Sequence, residues 1–176
     1  ALNIDSGGKW DNSSYIKAGF GSLRTPYVQA GFSFGDGQNA GINIFAKHVS
    51  SQGKLDYQDF TNTQFGLKGF YKSAGNHEWT AGLGMKQDRT YKYGYVPSTL
   101  SFTKDSLKQN FQTISARVGM RNINKTSFGL TYAPEVKIDV FSDNLKNSES
   151  NTVVNLPLEK TLGQEFAVNL GLTFDL

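Results

Sequence analysis

The chain of 176 residues contains no cysteine, only four prolines and only 19% charged residues. The absence of cysteine excludes a disulfide scaffold and a thiolate metal site. So few prolines, together with an aromatic content of 13%, argue against a collagen-like, proline-rich or disordered chain. The length is that of one domain with enough chain to bury a hydrophobic core.

Long apolar runs are also missing. No stretch of about 18 apolar residues occurs, so the sequence predicts no transmembrane helix, and no signal peptide is recognisable. The mean hydropathy of −0.43 resembles that of a soluble protein. This value does not exclude a membrane β-barrel, because apolar and polar residues alternate along its strands and never form an apolar run.

The charge balance points to no nucleic-acid partner. The formal net charge is only +3, whereas nucleic-acid sites usually cluster Arg and Lys on one face. The one basic segment, residues 86–92 (KQDRTYK), also carries Asp88. We therefore interpret it as a solvated loop.

What the sequence does contain is alternation of apolar residues with polar or small ones, which predicts β-strands and excludes amphipathic helices. The longest segment of uninterrupted alternation extends from Phe128 to Val140. Several segments approach the roughly 9–11 residues that a tilted strand needs to cross a bilayer. The pattern predicts nine strands, at residues 16–21, 28–34, 40–47, 64–72, 79–86, 113–120, 128–140, 154–158 and 166–176.

The polar face of these strands is unusual for a soluble sheet. It is rich in glycine, mixed with Asn, Ser, Thr, Gln and a few Lys, although glycine inside a strand usually marks curvature or crowding. Small polar residues on one face and large apolar residues on the other fit a barrel with a polar interior and an apolar exterior. The glycines of this face are Gly19, Gly21, Gly31, Gly41, Gly66, Gly82, Gly84, Gly119, Gly129 and Gly171.

Aromatic residues near the predicted strand ends would suit the interfacial girdles of a membrane barrel. Packing in the core of a soluble β-domain is the alternative role for the same residues. They are Tyr27, Phe34, Phe65, Tyr71, Trp79, Phe128, Phe141, Phe166 and Phe174.

The predicted connections differ in length. Short ones with turn residues lie at 35–38, 73–76, 122–125 and 160–164, and longer ones lie at 50–61, 87–110 and 142–151, with 22–25 as a short exception. Outer-membrane barrels sort their connections in this way, with short periplasmic turns and long external loops.

Nine strands cannot close a single-chain bacterial barrel, which needs an even number. Residues 1–5, where Leu2 and Ile4 alternate with polar residues, would be the tail of a preceding strand. We therefore expect an all-β fold, an antiparallel up-and-down transmembrane β-barrel with about nine or ten strands of a larger barrel. Residues 1–176 would form one barrel segment without a signal peptide.

Five segments of the chain have a recognisable order. They are 17–21 (KAGFG) with Pro26, 47–53 (KHVSSQG), 91–97 (YKYGYVP), 107–114 (LKQNFQTI) and 143–153 (DNLKNSESNTV). Taken in this order, they resemble TonB-dependent-receptor-like outer-membrane β-barrel proteins of Bacteroidota. The first departs from the family pattern, with Phe20 where Tyr is usual and Ser22 where Asn is usual. The resemblance implies an outer-membrane barrel related to transport, with TonB coupling through a plug domain and a TonB box that we expect to be absent from residues 1–176.

The sequence shows no motif for a nucleophile elbow, a metalloprotease or a phosphate loop. His48 and His77 are too far apart to suggest a metal site; we expect His77 to be solvated and His48 to form a loop or interfacial hydrogen bond. Asp56 and Asp59 are expected to be a solvated acidic pair and not a calcium site. The sequence thus predicts no catalytic, cofactor-binding or metal-binding residues.

The leading hypothesis is an integral outer-membrane β-barrel with a transport or structural role and an unknown substrate. Its apolar face would contact lipid, and its polar face would line a mildly cationic lumen that favours anionic solutes. A soluble β-barrel or β-sandwich that acts as a binding module is the alternative. An outer-membrane enzyme built on His48 with Ser50 or Ser51 is disfavoured, since no residue would orient the imidazole. The lumen cations would be Lys17, Lys47, Lys68, Lys72 and Arg117.

Overall fold

The computed structural model describes residues 13–94, 99–163 and 166–176. Ten strands and one short helix follow one another in these ranges. They are β1 (Ser14–Gly21), β2 (Thr25–Gly35), β3 (Ala40–Ser51), β4 (Phe60–Ser73), β5 (His77–Tyr91), α1 (Lys104–Leu107), β6 (Lys108–Asn122), β7 (Leu130–Tyr132), β8 (Glu135–Asp143), β9 (Ser148–Leu162) and β10 (Phe166–Asp175).

All ten strands belong to one antiparallel sheet in which neighbours along the chain are neighbours in the sheet. The order is β1-β2-β3-β4-β5-β6-β8-β9-β10, and β7 pairs with β9. This arrangement confirms the predicted all-β, antiparallel, up-and-down fold. The predicted strand tail at residues 1–5 lies outside the described residues.

β7 and β8 are two parts of the one strand that the alternation predicts at residues 128–140. Tyr132 pairs with Leu158 and Glu135 pairs with Asn155, so both parts keep the same register on β9. The ladder is interrupted at Pro134, whose nitrogen has no hydrogen to donate. The Pro134 carbonyl still accepts a hydrogen bond from the Met120 amide at 3.0 Å, so the strand stays in the sheet.

Three predicted loops are shorter than expected, because strands extend into polar sequence. β5 continues to Tyr91 and β6 begins at Lys108, which makes the basic segment at 86–92 mostly strand and reduces the predicted loop 87–110 to residues 92–107. The predicted loop 142–151 is a tight turn at 144–147, and the predicted loop 50–61 spans 52–59. The predicted sorting of long and short connections therefore holds only for residues 52–59 and 92–107.

Two of the tight turns are built around an aspartate. Asp36 Oδ1 accepts hydrogen bonds from the backbone amides of Gln38, Asn39 and Ala40 at 2.7–2.9 Å. Asp143 Oδ1 accepts hydrogen bonds from two amides of the β8–β9 turn at 2.8 and 2.9 Å. Aspartate favours such turns because its short carboxylate reaches the backbone a few residues ahead.

The sheet is a single layer. Among the described residues, Leu107 is the only buried hydrophobic residue, while large apolar side chains are exposed on β1 to β6 and on β8 and β10. Within the same residues, no helix has the length and apolar character to cross a bilayer. The fold therefore leaves an extensive apolar surface without a covering layer.

The two outer strands of the sheet run in the same direction. Ten strands fill nine positions in the sheet, because β7 and β8 share one position. With antiparallel neighbours throughout, the first and ninth positions, β1 and β10, are parallel to each other. An antiparallel closure of this sheet therefore needs an odd number of additional strands between β10 and β1.

Candidate functional site: the two faces of the sheet

Residues that pair across an antiparallel ladder project from the same face, so the register assigns every side chain to a face. One face is apolar from β2 to β10. Phe34 begins a row that continues through Ile42 and ends at Phe174. The full row is Phe34, Ile42, Gly69, Ala81, Val118, Val136, Val154 and Phe174.

The upper limit of the apolar band is stepped. On β2 it extends as far as Val28, whose row continues on β3, β4, β5 and β6 with polar side chains. On β9 it ends at Val154, and the next two residues of that face, Thr152 and Ser150, are polar. From β3 to β8 the last apolar residues lie in one row, which is Ala46, Phe65, Met85, Ile114 and Val140.

The two ends of this limit differ by the six residues from Val28 to Phe34, since Val154 lies in the row of Phe34. At about 3.3 Å per residue this corresponds to roughly 20 Å along the strands. The displacement falls between β2 and β3 and between β8 and β9, and the limit is level from β3 to β8.

The opposite face is polar and contains the predicted glycines of β1 to β6. Several of them make room for an aromatic side chain on the next strand. A Cβ atom at Gly31 would lie 2.5 Å from Tyr15 Cε1, and one at Gly41 would lie 2.6 Å from Phe70 Cε1. Crowding by cross-strand aromatics is therefore the reason for glycine at these two positions.

Two of the predicted girdle aromatics lie on this polar face, and that part of the prediction is wrong. Tyr27 pairs with Val49 in a row that contains Asn62 and Asp88, and its hydroxyl is hydrogen-bonded to Gln29. Phe141 stacks on Phe111, with ring centroids 6.0 Å apart. Strand parity settles the face of each residue, and proximity to a strand end does not.

The five predicted lumen cations all project from the polar face. The ammonium of Lys17 lies 5.2 Å from the ring centroid of Tyr15, and that of Lys47 lies 5.9 Å from that of Tyr27. Other cations of this face have carboxylate partners at 2.6–2.9 Å, in the pairs Lys86–Asp88, Lys137–Asp139 and Arg121–Glu78.

Lys68 and Arg117 flank a glycine near the middle of the polar face. Lys68 pairs with Gly82, and Gly82 pairs with Arg117, so the three residues form one row across β4, β5 and β6. A Cβ atom at Gly82 would lie 3.1 Å from Arg117 Nε and 3.2 Å from Arg117 Cγ. The arginine side chain therefore lies against the glycine.

A cavity of about 180 Å³ opens between these side chains, and Lys137 and Ser115 also line it. Lys137 continues the row beyond Arg117 and forms an ion pair with Asp139 at 2.6 Å. Asp139 also accepts a hydrogen bond from the Ser115 hydroxyl at 2.5 Å. Within the described residues, neither Lys68 nor Arg117 has a carboxylate within ion-pair distance.

The two longer loops are joined by an ion pair. Lys104 of α1 donates a hydrogen bond to Asp59 at 2.7 Å, and this bond raises the pKa of Lys104 above its ordinary value. One carboxylate of the predicted solvated pair is therefore used in holding α1 against residues 52–59, while Asp56 is exposed.

Each histidine lies within hydrogen-bond distance of a hydroxyl on another strand. His77 Nε2 lies 2.8 Å from the Tyr132 hydroxyl and the residue is half-buried, so the expectation of a solvated side chain is wrong. His48 Nδ1 lies 2.9 Å from Thr63 Oγ1, as the expected hydrogen bond requires. The Ser51 hydroxyl bonds to Thr25 and Leu23, and not to His48.

Across the parts of the chain that the structure describes, no group of three or more His, Cys, Asp or Glu side chains could hold a metal ion. The strongest feature that sequence reasoning missed is the juxtaposition of Lys68 and Arg117. Each is visible as a polar-face residue of its own strand, but their alignment depends on the cross-strand register, which alternation does not encode. The sequence matches no protein-family model, no curated protein and no solved structure.

Proposed function

We propose that this chain is a wall segment of an integral outer-membrane β-barrel whose role is related to transport. In this proposal the apolar face contacts the hydrocarbon of the bilayer and the polar face lines an aqueous lumen. The proposal contains no enzymatic step.

The observation that carries the proposal is the exposed apolar face of a single-layered sheet. Large apolar side chains are exposed on β1 to β6 and on β8 and β10, and Leu107 is the only buried hydrophobic residue among the described residues. A soluble sheet buries its apolar face under a second layer, whereas the hydrocarbon of a bilayer covers the apolar outer face of a membrane barrel.

The polar face supports the same proposal. Its glycines, amides, hydroxyls and unpaired cations suit contact with water, and two of the aromatics there, Tyr15 and Phe70, pack on glycines of neighbouring strands. A barrel lumen provides such water on the concave side of a single sheet.

The parallel outer strands fit a segment of a larger barrel. β1 and β10 require further strands between them, either from the same polypeptide or from another chain, because unpaired edges are costly in lipid. The resemblance to TonB-dependent-receptor-like barrels adds coupling to the TonB system, through segments other than this wall.

Detergent dependence tests the proposal. The refolded chain is expected to be monodisperse and rich in β-structure in detergent micelles, to float with lipid vesicles in a density gradient, and to aggregate when detergent is removed. A chain that remains monodisperse and folded in buffer without detergent would instead be a soluble β-domain, the alternative considered above.

A further inference from the structure

We infer that the cavity between Lys68 and Arg117 is a binding site for a small oxyanion, of the size and charge of phosphate or a phosphate monoester. The inference deepens the proposed function, on which it rests, by naming the class of solute that the polar face recognises.

The charges of the cavity carry the inference. Three cations line it, namely Lys68, Arg117 and Lys137. One carboxylate, Asp139, lies beside it and is already engaged by Lys137 and by the Ser115 hydroxyl. The cluster therefore carries an excess of two positive charges, which an oxyanion of charge −2 would balance. Arginine and lysine together suit such a ligand, since the guanidinium donates in a fixed plane and the ammonium adds a point charge.

The backbone of β5 leaves space for that ligand. Gly82 and Gly84 line the cavity and have no side chains, and the Ser115 side chain that also lines it is a short hydroxymethyl group. The contact of Arg117 with Gly82 holds the arginine along the sheet, directed across β5 toward the strand of Lys68. An alanine at position 82 would require the Arg117 side chain to move by a few tenths of an ångström, because its Cβ would lie 3.1 Å from Arg117 Nε.

The position of the cluster also fits a passing solute. The row of Lys68, Gly82 and Arg117 lies between the rows of Leu83 and Ala81 on the other face, both of which are inside the apolar band. The site is thus at the middle depth of the proposed membrane span, on the lumen side. Cations that line a pore at this depth are a general means of selecting anions.

The test is titration of the refolded chain in zwitterionic micelles with inorganic phosphate at low ionic strength, followed by calorimetry or by phosphorus NMR line width. Loss of one charge-assisted contact is expected to raise the Kd about tenfold, so Arg117→Gln and Lys68→Gln should each show this change. Gly82→Ala leaves the charge unchanged and should fall between the wild type and Arg117→Gln. Acetate, with one negative charge, should bind more weakly than phosphate.

Lys47→Gln is the matched control, since Lys47 is a polar-face cation that lies outside the cavity. Its Kd should remain within about twofold of the wild type. Equal affinities in wild type, Arg117→Gln and Lys68→Gln, each shown to be folded by circular dichroism, would overturn the site. So would a loss in Lys47→Gln as large as in Arg117→Gln, because the binding would then reflect overall charge. Detergent dependence is measured on the same samples, so a soluble chain that binds phosphate and a membrane chain that does not are distinct outcomes.

Discussion

Arg121 and Glu78 pair directly across β6 and β5 and are joined by two hydrogen bonds, each 2.9 Å long, from Nε to Oε1 and from Nη2 to Oε2. The glutamate is buried, whereas more than half of the arginine side chain is exposed. Bidentate geometry makes this the most fully satisfied ion pair of the polar face.

Arg121→Gln should lower the free energy of unfolding by about 1–2 kcal/mol, because it leaves the Glu78 carboxylate buried without its cation. Because the arginine is exposed, this decrease in the free energy of unfolding lies at the lower end of the range for charged pairs. Urea unfolding in micelles measures the decrease. The double variant Glu78→Gln/Arg121→Gln removes the stranded charge and should be more stable than Arg121→Gln. Equal stability of the two variants would contradict this explanation.

Leu170 and Asn169 are adjacent on β10 and project from opposite faces, since Leu170 pairs with Leu158 and Asn169 pairs with Glu159. Leu170→Arg should cost about 2–4 kcal/mol in unfolding measured from lipid vesicles, the value for arginine at the bilayer midplane. Asn169→Arg should cost little, because the new cation faces water and the Glu159 carboxylate. Similar penalties at the two positions would count against the assignment of faces.

Gly41 and Gly66 are polar-face glycines on neighbouring central strands with different surroundings. A Cβ atom at Gly41 meets Phe70 Cε1 at 2.6 Å, whereas a Cβ atom at Gly66 meets only Phe45 Cβ at 3.9 Å. Gly41→Ala should therefore destabilise the chain by about 1–3 kcal/mol through overpacking. Gly66→Ala should be neutral or stabilise it by up to about 1 kcal/mol. Chemical unfolding of both variants checks the difference, and a reversed order would refute the crowding explanation.

The turn between β2 and β3 should depend on pH. Hydrogen bonds from the amides of Ala40, Asn39 and Gln38 hold the pKa of Asp36 well below its ordinary value of 3.8. The pKa is lowered on folding. The contribution of this carboxylate to the stability of the folded chain is therefore complete above about pH 4 and is lost as the pH falls toward the lowered pKa. Amide chemical shifts of the turn, followed by NMR during acidification, should report this loss. Asp36→Asn should abolish the titration, and an unchanged titration in that variant would assign it to another group.

Alternation predicted the fold class and, for almost every strand, which residues share a face. It does so because the apolar residues indicate the face that a bilayer or a core would cover. It failed where strands leave the apolar band. Residues 148–151 (SESN) are polar on both faces, so they resemble a loop, although they pair in register with β8. Residues 87–91 and 108–112 extend β5 and β6 in the same way.

The candidate site could be predicted only in part. Parity alone placed Lys68 and Arg117 on the polar face, but the alignment that brings them to either side of Gly82 depends on turn lengths and on the resulting register. The same register is needed to see where the apolar band ends on each strand. The positions of Tyr27 and Phe141 on the polar face could have been recognised from parity, since each is out of phase with the apolar residues of its own strand.

The central claim is that one face of this sheet contacts lipid and the other contacts water. Because the chain has no cysteine, single cysteines at residues 79 to 86 of β5 can each carry one nitroxide spin label in lipid vesicles. We expect collision with dioxygen to peak at Trp79, Ala81, Leu83 and Met85, and collision with a water-soluble nickel chelate to peak at the intervening residues. Profiles in which both reagents peak at the same residues, or in which the nickel chelate reaches the apolar positions as readily as the polar ones, would contradict the account.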